Sequence, residues 1–183
     1  MRLSTHSKRL TSVGVDIGTS TSHVVFSSIL LEKDPRSGSE KFQITERKVI
    51  HSGPIHLTPF LNPTTINFTA LRDLIIADYR AAGVRLEDID TGAVIITGES
   101  AKKENAEEIV RAIAGETGKF VAATAGPNFE SVLAAHGSGA VARSAFAGTT
   151  VMNVDIGGGS SNIAVCIEGK VVATSAINVG GRL

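Results

Sequence analysis

Two segments of the chain carry the residues of a phosphate-binding turn. In each, an apolar run ends in an aspartate, a turn of Gly, Ser and Thr follows, and a second apolar run begins. Glycine lets the backbone approach a ligand closely, successive N–H groups form a concavity that binds anions, and hydroxyls add donors. The candidate phosphate-binding residues are Gly18, Thr19, Ser20 and Thr21 in the first segment and Gly157, Gly158, Gly159 and Ser160 in the second.

The two aspartates are candidate metal-binding residues. Asp16 and Asp155 occupy the same place in their segments, which align around them without a gap. A carboxylate at this place would repel a naked triphosphate, but not one that carries Mg²⁺, an ion that usually keeps several of its waters. Ordinary β-hairpins with glycine-rich turns are the alternative. The duplication favours a nucleotide held between two related halves.

The elements that must position these residues follow from the periodicity of the chain. The pattern predicts three strands, then helix, strand and helix, and then the hairpin again, which is typical of an α/β fold with a mixed five-stranded sheet and helical cover. After the first hairpin, the predicted elements are a strand over 42–52, a helix from Asn67 to Gly83, a strand over 93–96, a helix over 100–117, a buried strand over 120–123, a helix over 128–143 and a second hairpin from residue 149.

This order predicts two units of unequal completeness. We expect a flexible N-terminus over 1–11, a first unit over 12–147 and the first strands of a second, similar unit over 148–183. A unit that has its strands but not its helices cannot cover its sheet. The sequence therefore predicts the N-terminal part of a longer protein.

Composition excludes several classes of protein. Lys plus Arg and Asp plus Glu both count 18 in 183 residues, so the net charge of zero indicates neither a nucleic-acid-binding nor a membrane-binding surface. No apolar run approaches the roughly 18 residues of a membrane span. The single cysteine, Cys166, lies in an apolar run and is expected to be a small buried side chain; with no partner in the chain, it fits a reducing cytoplasm.

Duplicated units with Asp-Gly hairpins resemble the superfamily of actin, Hsp70 and the sugar kinases, whose ATPase fold is ribonuclease-H-like. Asp16-Ile17-Gly18-Thr19 resembles the first phosphate motif of that superfamily, and Asp155-Ile156-Gly157-Gly158-Gly159 resembles the second. Glu130, in the predicted helix over 128–143, resembles the residue of the connecting helix that lies near the attacking water or the metal.

A narrower resemblance extends over most of the chain. The segments 90–99, 101–106, 120–127 and 178–183 are similar to the ethanolamine ammonia-lyase reactivating factors of ethanolamine utilisation. The resemblance implies a chaperone-like ATPase that uses ATP and Mg²⁺ to release damaged cobalamin from its partner, the adenosylcobalamin-dependent ethanolamine ammonia-lyase, so that intact cofactor can bind. It also implies a cytoplasmic location, with the ethanolamine bacterial microcompartment as a place of association.

The resemblance assigns a role to each candidate residue. The two hairpins grip the β- and γ-phosphates from opposite sides, Asp16 and Asp155 hold hydrated Mg²⁺, and the catalytic residues are Asp155 and Glu130, which orients or deprotonates water. The third motif of the superfamily, which contacts adenosine, lies beyond Leu183, so we expect residues 1–183 to bind ATP weakly and to be inactive alone.

Other interpretations of these residues stay open. An acid early in a helix, such as Glu130, is favourable to the helix dipole without any catalysis. His23 is more typical of a packed or hydrogen-bonded residue than of a catalyst. The alternative functions are a small-molecule kinase, a polyphosphate or guanosine-polyphosphate phosphatase, and a filament-forming relative of actin.

Overall fold

The computed structural model describes residues 7–33, 41–117, 120–124 and 126–181 of the chain. The strands are β1 (Ser7–Ile17), β2 (Thr21–Lys33), β3 (Phe42–Ser52), β4 (His56–Leu57), β5 (Phe60–Asn62), β6 (Thr65–Ile66), β7 (Thr91–Ile96), β8 (Phe120–Thr124), β9 (Val151–Ile156), β10 (Ser161–Ile167) and β11 (Lys170–Ile177). The helices are α1 (Phe68–Ala82), α2 (Ala106–Thr117), α3 (Pro127–Gly137) and α4 (Ala140–Ala147), with 3-10 turns at Leu86–Asp88 and Gly98–Lys102.

The first sheet has the strand order β3-β2-β1-β7-β8, and the short strand β4 pairs with β2. β1 runs antiparallel to β2 and parallel to β7, and β7 runs parallel to β8. Such a parallel pair requires a crossover, and α1 and α2 supply the helices of the two crossovers. The predicted mixed sheet with helical cover is confirmed.

The main core lies between one face of the first sheet and helices α1 and α2. Alternate residues of the central strands point into this core because side chains along a strand alternate between its two faces. Asp16 lies between the core residues Val15 and Ile17 of β1, so its carboxylate is on the other face of the sheet, away from this core. The buried core residues include Val13, Val15, Ile17, Val24, Phe26, Val94 and Ile96 of the strands and Leu71, Ile75, Ile109 and Ile113 of the helices.

Helix α1 begins and ends where the sequence predicts. The side chain of Asn67 accepts a hydrogen bond from the backbone N–H of Ala70, and Gly83 ends the helix with φ of 66°. That backbone conformation favours glycine over any residue with a Cβ. No helix among the described residues has both the length and the apolar character needed to cross a bilayer.

The second sheet, in the order β11-β10-β9, is covered on one face by α3 and α4. Ala135, Ala140 and Val141 of these helices pack against Ala164 and Cys166 of β10. Cys166 is fully buried, as expected. Both helices precede residue 148, where the sequence placed the boundary between the units, yet they pack against the strands that follow it. The opposite face of this sheet exposes Met152, Val154, Ile156 and Ile177.

Several predicted elements differ from those observed. The helix expected over 100–117 is a 3-10 turn followed by α2, and the helix expected over 128–143 is broken at Gly139, whose φ is 82°. Val121 of the strand expected to be buried is 68% exposed, since β8 is an edge strand. Residues 7–11, expected to be flexible, form the start of β1 and pair with β2, while residues 1–6 lie outside the described part of the chain.

Candidate phosphate-binding site

The two predicted hairpins have the same backbone geometry. In the first, the N–H of Gly18 donates to the carbonyl of Thr21 at 2.9 Å; in the second, the N–H of Gly157 donates to the carbonyl of Ser160 at 2.8 Å. The cross-strand register is also the same. Asp16 lies opposite His23 between β1 and β2, and Asp155 lies opposite Asn162 between β9 and β10. The sequence repeat is therefore a repeat in structure, residue for residue.

The two turns contact each other directly. A Cβ placed on Gly158 would overlap the Oγ of Ser20 and lie 2.6 Å from its Cβ, and a Cβ on Gly159 would lie 3.3 Å from the Cγ2 of Thr19. Gly98, at the carboxyl end of β7, abuts the side chain of Thr19 on the same side. Glycine at 158 is thus required by the approach of the facing turn. The structure brings both sets of candidate phosphate-binding residues to one place between the sheets.

Two hydroxyls that the sequence did not single out hold the first turn. Thr58 donates from Oγ1 to the carbonyl of Gly18 at 2.8 Å and from its backbone N–H to the carbonyl of Ser20 at 3.0 Å. Ser100 also donates from Oγ to the carbonyl of Gly18, at 2.9 Å. Thr58 and Ser100 are both buried, and Ser22 completes the cluster with its Oγ 2.9 Å from Thr58 Oγ1. The first turn is therefore held by Thr58 and Ser100, and Ser22 supports Thr58.

The second turn is held by the segment that follows β11. The Oγ of Ser161 donates to the carbonyl of Val179 at 2.7 Å, and the N–H of Gly181 donates to the carbonyl of Gly157 at 2.9 Å. Gly180 lies so close that a Cβ there would be 2.5 Å from backbone atoms of Gly158 and Gly159. The second turn is thus supported mainly by backbone, while side chains support the first.

Three carboxyl groups converge where the turns meet. The pKa of Asp16 is raised above its ordinary value, first because surrounding protein removes water from its carboxyl and next because Asp155 repels its negative charge. A hydrogen bond from Thr97 and the nearby His23 act in the opposite direction. The pKa of Glu130 is raised as well, mainly by desolvation and then by the charges of Asp155 and Asp16, against an opposing hydrogen bond from the backbone N–H of Gly98. The three acids therefore share one electrostatic site.

Glu130 reaches this site from the first turn of α3. Its carboxylate accepts hydrogen bonds from the backbone N–H of Gly98 and from the side chain of Asn162. Its Oε2 is buried and has no hydrogen-bond partner, and neither has the buried Oδ1 of Asn162. Buried acceptors without donors are rare in folded proteins and mark places where a ligand or water is expected.

This donor set fits a hydrated Mg²⁺ ion. The oxygens of Asp16 and Asp155 are the hard ligands that Mg²⁺ prefers, and the unpaired Oε2 of Glu130 could accept from a metal-bound water. Across the described residues, no three or more His, Cys, Asp or Glu side chains are arranged to hold an ion directly. An ion held through waters, as Mg²⁺ commonly is, agrees with both observations.

Lys103 is bound at a distance from the turns, and His23, although it lies beside Asp16, is held by a protein carbonyl. The Nζ of Lys103 donates to the carbonyl of Pro63 at 2.7 Å, so this lysine is bound away from the turns. The Nε2–H of His23 donates to the carbonyl of Gly53 at 2.9 Å, which agrees with the structural role expected for it. His136 is exposed on α3.

Two missed parts of the site had a signal in the sequence. Thr97 and Gly98 follow β7, the parallel neighbour of β1, and ligand sites in such sheets lie at the carboxyl ends of adjacent parallel strands. Asn162 also had one, since it stands seven residues after Asp155, as His23 does after Asp16. Thr58 had none, because it lies in a stretch with Pro54, Pro59 and Pro63 whose path depends on tertiary contacts.

Comparison with known sequences identifies close relatives. The model of a family described as "Ethanolamine utilisation protein EutA" matches residues 8–183. Two curated proteins named "Ethanolamine ammonia-lyase reactivase EutA", from Salmonella typhimurium strain LT2 and Escherichia coli K12, are 44% and 42% identical to the chain over 179 residues. These matches cover 97% of this chain and 38% of each relative, so the chain spans well under half of the length of these relatives.

Comparison with solved structures supports the predicted fold. The crystal structure of the Ppx/GppA family member from Aquifex aeolicus superposes with a TM-score of 0.55 at 19% sequence identity, over 94% of this chain and 52% of that one. At this identity the likeness concerns the fold alone. The chain has the mixed α/β fold that its duplicated hairpins predicted, and it shares this fold with the Ppx/GppA family member.

Proposed function

Because the chain belongs to the EutA family of ethanolamine utilisation proteins, we propose that it forms part of an ATP-dependent reactivating factor for ethanolamine ammonia-lyase. In this proposal, the protein uses ATP to release damaged cobalamin from the lyase so that intact adenosylcobalamin can enter. The proposed binding and hydrolysis of ATP is supported by one observation: two matched turns and three carboxyl groups converge at one site. The client is proposed from the names of the two curated relatives.

The two turns would bind the phosphates of ATP from opposite sides. The backbone N–H groups around Gly18 and around Gly158 and the hydroxyls of Thr19, Ser20, Thr21 and Ser160 are the donors. Asp16 and Asp155 would hold Mg²⁺ through its waters. When bound, that ion neutralises charge on the β- and γ-phosphates, which together with positioning accounts for most catalysis of phosphoryl transfer.

Glu130 is the proposed base of the hydrolytic step. Its pKa is raised, so its carboxylate is a stronger base than that of an ordinary glutamate. As the oxygen of water bonds to the γ-phosphorus, the water gives a proton to the Glu130 carboxylate. The bond between that phosphorus and the bridging oxygen breaks, and its electron pair leaves with ADP. Glu130 then returns the proton to the solvent.

The contact between the turns is the proposed link to the client. Binding and hydrolysis of ATP between the halves would change how closely they meet, a two-state change of the hinge type. Such a change can act on the lyase only if the lyase binds one of the two states more tightly. The proposal therefore requires an affinity for the lyase that depends on the nucleotide.

The test uses the full-length chain and ethanolamine ammonia-lyase blocked with cyanocobalamin. Free adenosylcobalamin is added, Mg·ATP is present or withheld, and ammonia release is measured. We expect activity to return only with both the chain and Mg·ATP, and not with the Asp155→Ala variant. Intact ATPase activity without recovery of the lyase would refute the client. Phosphate release from polyphosphate, with no ATPase activity, would instead favour a phosphatase.

A further inference from the structure

We infer that Asn162 is a positioning residue for hydrolysis: its amide holds the Glu130 carboxylate, and its free carbonyl oxygen accepts a hydrogen bond from the attacking water. The inference rests on the ATPase proposed above and adds to it a residue and a role. It starts from two unpaired acceptors, the Oε2 of Glu130 and the Oδ1 of Asn162, both buried beside each other in the site.

The position of Asn162 in the fold makes this side chain inward-facing. It lies in β10, directly opposite Asp155 of β9, and is 1% exposed. It lies on the same face of β10 as Ala164 and Cys166, which pack under α3 and α4. Because α3 carries Glu130 in its first turn, the sheet and the helix bring the amide and the carboxylate together.

The hydrogen bond between the two side chains fixes the orientation of the amide. An ionised carboxylate only accepts hydrogen bonds, so the Nδ2 of Asn162 must be the atom that faces Glu130. The Oδ1 then points elsewhere and finds no donor. Burying an acceptor without a donor costs free energy, because the hydrogen bonds that it made with water are not replaced. A ligand that donates to Oδ1 would remove this cost, whereas an apolar residue at 162 would have avoided it from the start.

The matching residue of the first hairpin shows a different arrangement. His23 occupies the same register position opposite Asp16, but its Nε2 is hydrogen-bonded to the carbonyl of Gly53 and lies 3.0 Å from the Oγ of Ser52. Its partners are thus protein groups of the strand edge and the turn that follows it. The two hairpins match in backbone but differ at this position, because the second has an unpaired acceptor where the first has a side chain bonded to protein.

One water molecule can satisfy both unpaired acceptors. It would donate one hydrogen to Glu130 Oε2 and the other to Asn162 Oδ1, which directs a lone pair away from both groups. The first of these protons passes to Glu130 as the water oxygen bonds to the γ-phosphorus, the second stays on that oxygen, and ADP leaves with the electron pair of the broken bond. Asn162 supplies orientation and takes no proton.

The experiment measures ATP hydrolysis by the full-length chain at steady state and in a single turnover. Asn162→Ala is expected to lower the rate of the chemical step about 10- to 100-fold, as loss of positioning does, with KM for ATP changed less than about 3-fold. Asn162→Asp has nearly the same shape but cannot donate to Glu130, and it should lose as much. If the alanine variant does not fold, this isosteric variant carries the test.

Two controls separate orientation from general damage. Asn128→Ala removes an asparagine of α3 whose Oδ1 accepts a hydrogen bond from the Oγ1 of Thr174 at 3.2 Å, and this variant should hydrolyse ATP at the normal rate. In a Glu130→Gln background, Asn162→Ala should lower the rate no further than about 2-fold, because the two residues act as a unit on the same attacking water.

The outcomes distinguish the inference from the function on which it rests. A normal rate in Asn162→Ala, a loss confined to KM, or a full additional loss in the Glu130→Gln background would overturn the role of Asn162 and leave the ATPase in place. If the unaltered full-length chain does not hydrolyse ATP, the proposed function fails and the inference fails with it.

Discussion

Replacing Gly158 with alanine tests whether the two phosphate-binding turns meet as described. The new Cβ would lie 2.6 Å from the Cβ of Ser20 and would overlap its Oγ. Carbon atoms in contact are normally about 3.5–4.0 Å apart, so the overlap is about 1 Å. Rotation of Ser20 moves Oγ but not Cβ, and therefore cannot relieve it. Overpacking of this kind costs about 1–3 kcal/mol, which is the expected loss in free energy of unfolding.

The structure also predicts which second substitution restores stability. With Ser20→Gly, the nearest atom of residue 20 to the new Cβ is its Cα at 3.7 Å, an ordinary contact. With Ser20→Ala, the Cβ remains and so does the overlap. Urea unfolding should therefore show that Ser20→Gly suppresses the cost of Gly158→Ala and that Ser20→Ala does not. Gly14→Ala is the matched control, because a Cβ at Gly14 meets no atom within 4 Å.

The two Ser20 variants show which atoms of the turns are in contact. Substitutions at sites that do not touch add to within about 0.3–0.5 kcal/mol. If the effects of Ser20→Gly and Gly158→Ala simply add, the turns do not contact each other. If both Ser20 variants rescue equally, the contact is with Oγ alone and the backbones of the turns lie further apart than the structure has them.

Three further predictions concern groups around the site. Glu130→Gln should raise the free energy of unfolding at pH 7 but leave it unchanged below about pH 4. Folding raises the pKa of Glu130 above 4.5, so the wild-type protein loses stability as the pH rises from the unfolded-state pKa to the folded-state pKa. The loss is about 1.4 kcal/mol for each unit by which folding raises the pKa. Urea unfolding at the two pH values measures this, and an equal effect at both would contradict it. Thr58→Val keeps the shape of a buried side chain but removes its hydrogen bonds to Gly18 and Ser22, so the free energy of unfolding should fall by about 1–3 kcal/mol. A fall of less than about 0.5 kcal/mol would mean that the first turn does not depend on these hydrogen bonds. His56→Ala removes the imidazole that lies 3.1 Å from Oδ1 of Asp78, which is 2% exposed, and the lost hydrogen bond should cost about 1–3 kcal/mol. Adding Asp78→Asn should restore most of this loss in thermal or urea unfolding; no recovery would assign the cost to lost packing of the ring.

The parts of the site that the sequence predicted are those encoded by local pattern. The hairpins follow from alternation of apolar residues around a Gly-rich turn, and their duplication is visible without knowledge of any contact. Asp16 and Asp155 could be placed because each ends an apolar strand. Helix α1 could be bounded because Asn67 and Gly83 are a residue pair that favours helix ends.

The parts that could not be predicted depend on contacts between distant segments. Whether α3 packs on the first or the second sheet is decided by which sheet its small residues fit, and Ala135 gives no indication of this in sequence. The helix predicted over 128–143 stops near Ser138 because Gly139 takes a left-handed conformation, which places α4 across β9 and β10. Thr58 and Ser100 reach Gly18 only because the chain folds back twice.

The packing of α3 on the second sheet has a consequence for how hydrolysis is coupled to movement. Glu130 belongs to the second half through its helix, yet it accepts a hydrogen bond from the N–H of Gly98, which belongs to the first half. Separation of the halves would take this donor from a carboxylate that already lies near two other acids. Its pKa would rise further for lack of the donor, or fall if water entered and Asp16 withdrew. In either case the pKa of Glu130, the proposed base, depends on the closed contact between the turns. The rate of the chemical step should therefore depend on closure.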